Sequence, residues 1–200
     1  MLHIVQNLDR AGLTPALHEF LRTGGDSLTN PYHNIQHALR VAAFAGQATN
    51  HNPTVMLAGL FHDWRHPGGF GDPDIDTANV ERAATKVMSL PTDLLPAEAN
   101  KAMAAHSIRG TRFPMDEAEV QALPRMAKLL RDADVWNMAF MTDDELLALQ
   151  VGLAAEAGVE PHRQFENNVA FIKTLPALTP YAEAVALKHR DRLISVLQNW

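Results

Sequence analysis

The chain has 200 residues, 46% of them hydrophobic and 20% charged, which excludes a disordered or fibrous protein and makes one compact domain the expectation. A formal net charge of -6 argues against general nucleic-acid binding, which needs clustered Lys and Arg. The absence of cysteine excludes disulfides and thiolate metal sites, so any bound metal must take nitrogen and oxygen ligands.

Strand signals are few and helix punctuation is frequent. Apolar periodicity and caps predict helices near 3–11, 15–23, 34–50, 53–65, 76–89, 96–108, 125–141, 143–157, 161–174 and 180–198. Thr14-Pro15, Asn52-Pro53 and Thr179-Pro180 each set a capping residue before a proline suited to the first helical position. Thr142 and Glu145 have the spacing of a capping box, and Pro124 delays or kinks the helix that ends near 141. The longest irregular stretch, 66–76, is rich in Gly, Pro and Asp, and long loops of that kind in compact domains are often functional. No repeat or linker interrupts the chain, so the expected architecture is all-α, a single-domain helical bundle over 1–200. The first residues carry no basic segment and apolar core of a secretory signal, and no apolar run reaches the roughly 18 residues of a membrane span. A cytoplasmic protein without membrane association is therefore expected.

Four segments concentrate metal-binding residue types. In Tyr32-His33-Asn34-Ile35-Gln36-His37, the two histidines fall one helical turn apart. His62-Asp63 follows the apolar run 56–61, whose buried helix would hold the pair rigidly. Asp63 would then sit near a helix C-terminus, where negative charge is unfavourable, so something positive should lie beside it. Asp132 and Asp134 interrupt an otherwise apolar helix, and an ionised carboxylate there requires a cation or hydrogen bonds. Residues two apart face different sides, so only one of the two needs to point inward. His106, followed by Arg109 and Arg112, could help hold an anion. Singly, each segment has an ordinary structural explanation; together, in this order, they indicate a metal site.

The order His, His-Asp, distant Asp resembles the signature of the HD superfamily of metal-dependent phosphohydrolases over 32–137, about half the chain. The resemblance implies an HD-type helical bundle with His37, His62, Asp63 and Asp134 as metal ligands, Asp134 being preferred because Ala133-Asp134 matches the family's Ala-Asp pair. YHNIQHA at 32–38, HDWRHPG at 62–68 and DVWN at 134–137 resemble the YHNxxHA, HDxxHPG and DxxN stretches of class I cyclic-nucleotide phosphodiesterases. That branch implies His33 as general acid and His66 near the phosphate or a metal-bound water. Trp64 and Gly71 depart from the branch, where a smaller apolar residue and an Asn or Gln are usual, and Asn168 with Phe171 only faintly echoes its base clamp. The segment 79–84 looks like the Asn-Glu segment of small bacterial HD phosphohydrolases.

The implied activity is hydrolysis of a small-molecule phosphoester, such as a nucleotide, by metal-bound hydroxide, with His33 protonating the leaving oxygen and Asp63 bridging to any second ion. One or two divalent ions (Mg, Mn, Fe, Ni, Co or Zn) suit two imidazoles and two carboxylates. Glu81 would orient a water or be a solvated helix residue; His66 would be a second-metal ligand, a phosphate contact or a loop anchor. Glu81, His66, His106 and Arg109 together form the expected substrate-side shell. His3, His18, His51, His162 and His189 are read as structural or exposed. Two other functions share the motifs: an HD-type mixed-valent di-iron oxygenase, which would need His66 and His106 as extra ligands, and a non-catalytic metal-containing nucleotide-binding module. The sequence leaves the oligomeric state open.

Overall fold

A computed structural model describes residues 2–69 and 73–200, and within them the protein is helical, with eleven α-helices and no strand. Gly71 lies outside the described residues, as does the His3 side chain. The helices are α1 (Leu2–Arg10), α2 (Thr14–Thr23), α3 (Ile35–Ala48), α4 (Pro53–Phe61), α5 (Pro73–Ser89), α6 (Lys101–Arg109), α7 (Glu117–Ala122), α8 (Arg125–Trp136), α9 (Asp143–Ala157), α10 (Pro161–Thr174) and α11 (Pro180–Gln198). The all-α expectation holds.

The centre of the fold is α4, whose residues 54–61 are all buried, packed between α3, α6 and α8. A helix apolar on every side has to be enclosed by others. Gly59 lets α3 and α4 approach closely: a Cβ there would stand 2.9 Å from the backbone N and Cα of Ala42. Asn52 caps α4 by accepting from Thr54 and Val55 N–H, and Asn34 caps α3 by accepting from Gln36 and His37 N–H. Around this centre, α5 packs on α6, and α10 packs on α9 and α11.

Several predicted boundaries differ. Thr14 does not cap α2; the helix begins at Thr14 itself, whose hydroxyl donates to Asp9 instead. Pro124 does more than kink a helix: it separates α8 from α7, which the sequence reading left unassigned and which starts with an Asp116/Glu119 capping box. The predicted 96–108 helix starts only at Lys101, behind an Asn100 cap.

The most consequential difference is the end of α4 at Phe61 rather than near 65. Residues 62–65 form turns, with Arg65 in the left-handed region at φ 55°. Side chains from the α2–α3 connection take up the backbone groups that a longer helix would have satisfied. Ser27 Oγ donates to the Asp63 carbonyl (2.6 Å) and accepts from His66 N–H (2.7 Å). Asn30 Nδ2 donates to the His66 carbonyl (2.7 Å), and Arg65 Nε donates back to the Thr23 carbonyl (2.8 Å).

Candidate functional site

His37 lies in the first turn of α3, His62 and Asp63 in the turn after α4, and Asp134 near the end of α8. The packing of α3, α4 and α8 therefore brings together the four residues that the sequence pattern singled out. Their ligand atoms lie within 4.8 Å of one another. His37 Nε2 is 3.2 Å from His62 Nε2 and 3.0 Å from Asp134 Oδ1; His62 Nε2 is 2.9 Å from Asp63 Oδ2 and 3.4 Å from Asp134 Oδ1. Neighbouring ligands on an octahedral ion with bonds of about 2.1 Å stand about 3 Å apart, so these separations fit a shared cation.

The protonation pattern fits as well. His62 Nδ1–H donates to the Gly59 carbonyl (2.8 Å), which leaves Nε2 as the lone-pair nitrogen of the neutral ring. Two imidazole nitrogens 3.2 Å apart, both buried, cannot direct lone pairs at each other without a proton or a metal ion between them. Burial opposes charge on both rings, yet Asp63 and Asp134 hold His62 well above its ordinary value and His37 above it. Reciprocally, burial would raise the two aspartates, but the adjacent histidines bring both below the ordinary carboxylate range, Asp63 well below it. The cluster is thus a balanced set of two basic nitrogens and two acids, suited to a borderline divalent ion. The imidazoles are almost sealed, whereas the Asp134 side chain is 28% exposed, so the centre opens towards solvent beside that carboxylate.

Asp132 is buried and faces elsewhere. It accepts from Leu178 N–H (2.9 Å) and Thr179 Oγ1 (2.7 Å), tying the start of α11 to α8. This meets the hydrogen-bond requirement of its buried carboxyl without a metal.

His33 stands beside the cluster. Its Nδ1 is 2.6 Å from Glu156 Oε2, and the other carboxylate oxygen accepts from the backbone N–H groups of Tyr32 (2.6 Å) and His33 (2.9 Å). Burial raises Glu156, but His33 and these donors outweigh it and lower its pKa. Glu156 escaped the sequence reading. Its signal was an acid in the last turn of α9, immediately before Ala157-Gly158, where the helix dipole disfavours it. Gly152 makes the contact possible one turn earlier, since a side chain there would overlap the Pro31 carbonyl oxygen.

The His33 ring stacks on His66, with centroids 3.8 Å apart and planes 15° apart. His33, His66 and Glu156 also have ligand atoms within 4.8 Å. Stacked rings direct their in-plane lone pairs along parallel planes, however, so the observed geometry does not converge on one ion. His66 is otherwise enclosed: Nδ1 lies 3.1 Å from Gly68 N and Nε2 lies 2.9 Å from Asn79 Nδ2, whose amide is oriented by Arg82. Burial pushes its pKa down to about 4, keeping the ring neutral. These contacts are those of a loop anchor.

The remaining expected residues are placed apart from these clusters. Glu81 and Arg109 pair with each other in a bidentate ion pair at 2.7 and 2.9 Å, and His106 is exposed on α6. Neither Glu81 nor His106 belongs to a described group of potential metal ligands, which leaves the oxygenase alternative without its His106 ligand. Phe171 stands opposite Phe113 (centroids 6.3 Å), while Asn168 bonds Gln150 and Gln164. His18 and His162 are exposed, and His51 and His189 are half-buried.

No protein-family model and no curated protein matches this chain. Among solved structures, two phosphodiesterase-domain structures of the rhodopsin–phosphodiesterase fusion from the choanoflagellate Salpingoeca rosetta match it along almost its whole length. One is 13% identical with a TM-score of 0.63, covering 98% of this chain and 86% of that one. The other is 14% identical with a TM-score of 0.61, covering 99% and 81%. At such identities the likeness is one of fold: this chain has the all-α architecture of those domains.

Proposed function

We propose that this protein is a divalent-metal-dependent phosphohydrolase of the HD type acting on a small-molecule phosphoester, with His37, His62, Asp63 and Asp134 as the metal ligands. The observation that carries the reading is the approach of two buried imidazole Nε2 atoms to 3.2 Å between two carboxylates. The two similar folds are phosphodiesterase domains, which supports the same reaction class. A divalent ion bound by these residues would lower the pKa of a coordinated water to about 7 and so supply the nucleophile.

The chain's own groups account for the other half of the reaction. His33 delivers a proton to the departing alkoxide, a role that needs an imidazole outside the metal ligand set. Glu156 accepts from Nδ1–H and fixes the ring's direction, so Nε2 is the nitrogen that would deliver the proton. Neutral His66 supports the other face of that ring by stacking and adds no competing charge.

The decisive experiment combines elemental analysis of the purified protein with a phosphoester panel of bis(4-nitrophenyl) phosphate, 4-nitrophenyl phosphate, nucleoside monophosphates and cyclic nucleotides. Stoichiometric divalent metal and turnover of at least one ester are expected, with both lost in Asp63→Ala. A folded protein that binds no divalent ion, or one whose hydrolysis persists unchanged in Asp63→Ala, overturns the reading.

A further inference from the structure

A cavity of about 360 Å³ lies between residues 113–121, α8, the end of α10 and residues 175–178. Its place is set by α8: Arg131, Asp134 and Val135 fall at i, i+3 and i+4 and so share one stripe of that helix. Asp134 is the carboxylate beside which the four-residue cluster opens to solvent, and Arg131 and Val135 line the cavity. Most of the wall is apolar, with Met115, Val120, Phe171 and Leu178 among its members. Of the polar members, Glu117, Gln121 and Thr174 are exposed residues. Asp132 also borders the cavity, but both of its oxygens already accept from Leu178 and Thr179.

Arg131 is held in a fixed plane. Its Nη1 donates to the carbonyls of Arg112 (2.7 Å) and Gly110 (3.3 Å), and its guanidinium carbon stands 4.4 Å from the centroid of the Phe113 ring. Among the described residues Nε and Nη2 have no hydrogen-bond partner, and neither atom is sealed from solvent. One edge of the guanidinium fork therefore remains available to a planar pair of acceptors. Asp134, Asp76 and Asp132 all lie within electrostatic reach of Arg131, so a neutral acceptor suits this edge better than a further anion. The volume is near the low end of small-ligand pockets, which run from roughly 300 to 1,000 Å³, and accommodates one ring system.

We infer that this cavity is the subsite for one arm of a phosphodiester, a neutral planar ring whose acceptor edge meets Arg131 Nε and Nη2. The inference rests on the phosphohydrolase reading and names the substrate class of that same centre. Neither His33 nor Glu156 lines the cavity, so the arm held here is the one that stays on phosphorus. Hydroxide oxygen joins phosphorus, the P–O bond to the other arm breaks, and that arm leaves with its proton from His33. The product is a monoester still carrying the ring. Arg131 thus sets specificity for the retained arm.

The test uses the full chain loaded with divalent metal and three phosphonates that imitate the product and cannot be hydrolysed: methylphosphonate, benzylphosphonate and 4-nitrobenzylphosphonate. Calorimetry and ligand-observed NMR read their affinities. Benzylphosphonate is expected to bind about tenfold more tightly than methylphosphonate, from burial of the ring. The nitro group, with its two planar oxygens, should add about fivefold more. Arg131→Met should cancel the nitro gain while keeping the ring gain, and Val120→Trp, which fills the slot from α7, should cancel the ring gain. Circular dichroism reports whether each variant is folded. If Arg131→Met is not, Arg131→Lys, which keeps the charge but lacks the planar fork, takes its place with the same expected loss. A wild type that binds all three phosphonates alike overturns the subsite and leaves the phosphohydrolase reading standing, as does a nitro gain that survives in the folded Arg131 variant. A protein that binds none of the three overturns both.

Discussion

His33 and Glu156 illustrate how a single hydrogen bond can set one histidine apart from its neighbours. His37 and His62 turn their Nε2 atoms towards two aspartates, whereas His33 turns Nδ1 towards a glutamate from another helix. His33→Ala should therefore retain the metal yet slow turnover by roughly 10²–10⁴-fold, the usual contribution of a positioned general acid. Metal content together with kcat checks this, and full activity would remove His33 from the mechanism. Glu156→Gln tests a positioning role through pH. The Glu156 pKa lies below its ordinary 4.5 in the folded protein, so its ionised form adds stability that is present above pH 4.5 and lost as pH falls through the lowered folded value. Thermal melts should show Glu156→Gln less stable than the wild type at neutral pH, with the gap closing under acid conditions. In kinetics the same variant should alter the pH profile of kcat, which a purely structural role would not do.

Among the elements, the turn after α4 and the approach of α9 determine where the chemistry can occur. Ser27 Oγ bridges the Asp63 carbonyl and the His66 N–H, so Ser27→Ala removes partners from both ends of the His62–His66 turn. A loss of about 1–3 kcal/mol is expected from these backbone groups, measurable by denaturant unfolding, together with weaker metal retention because Asp63 loses its anchor. Gly152→Ala places a methyl group against the Pro31 carbonyl oxygen. The overpacking should cost about 1–3 kcal/mol and move α9, and Glu156 with it, away from His33. The discriminating result is reduced kcat with unchanged metal content; unchanged kcat would mean that the close approach does not set the dyad.

For the whole molecule, the four residues proposed as metal ligands come from three separate parts of the chain, which a bound cation would fasten together. Metal binding to the folded state should raise stability by about 2.7 kcal/mol at a free concentration one hundred times Kd. Thermal melts with and without chelator check this, and Asp134→Ala should abolish the shift. A wild-type protein whose melting is indifferent to chelator and to added divalent ions would contradict the ligand assignment. The helices that carry the four residues share one extensive apolar core, so chelation should lower the melting temperature without unfolding the protein at room temperature.

The linear order of residues was enough to determine the helical class, most helix positions and the three segments from which the four converging side chains come. Those features depend on local periodicity, on caps such as Asn52 and Thr142, and on short motifs containing both members of a pair. It could not select between Asp132 and Asp134 without a family resemblance, because both are acids in one apolar helix; only packing shows that Asp132 is satisfied by Leu178 and Thr179 while Asp134 faces His37. It could not reveal Glu156, which lies 123 residues from His33, or the ion pair that joins Glu81 to Arg109. The early end of α4 likewise depended on Ser27, 36 residues before Asp63. The division has one physical reason: helices and caps arise from neighbours a few residues apart, whereas the partner of a buried charge is chosen by whichever distant element the core packs against it.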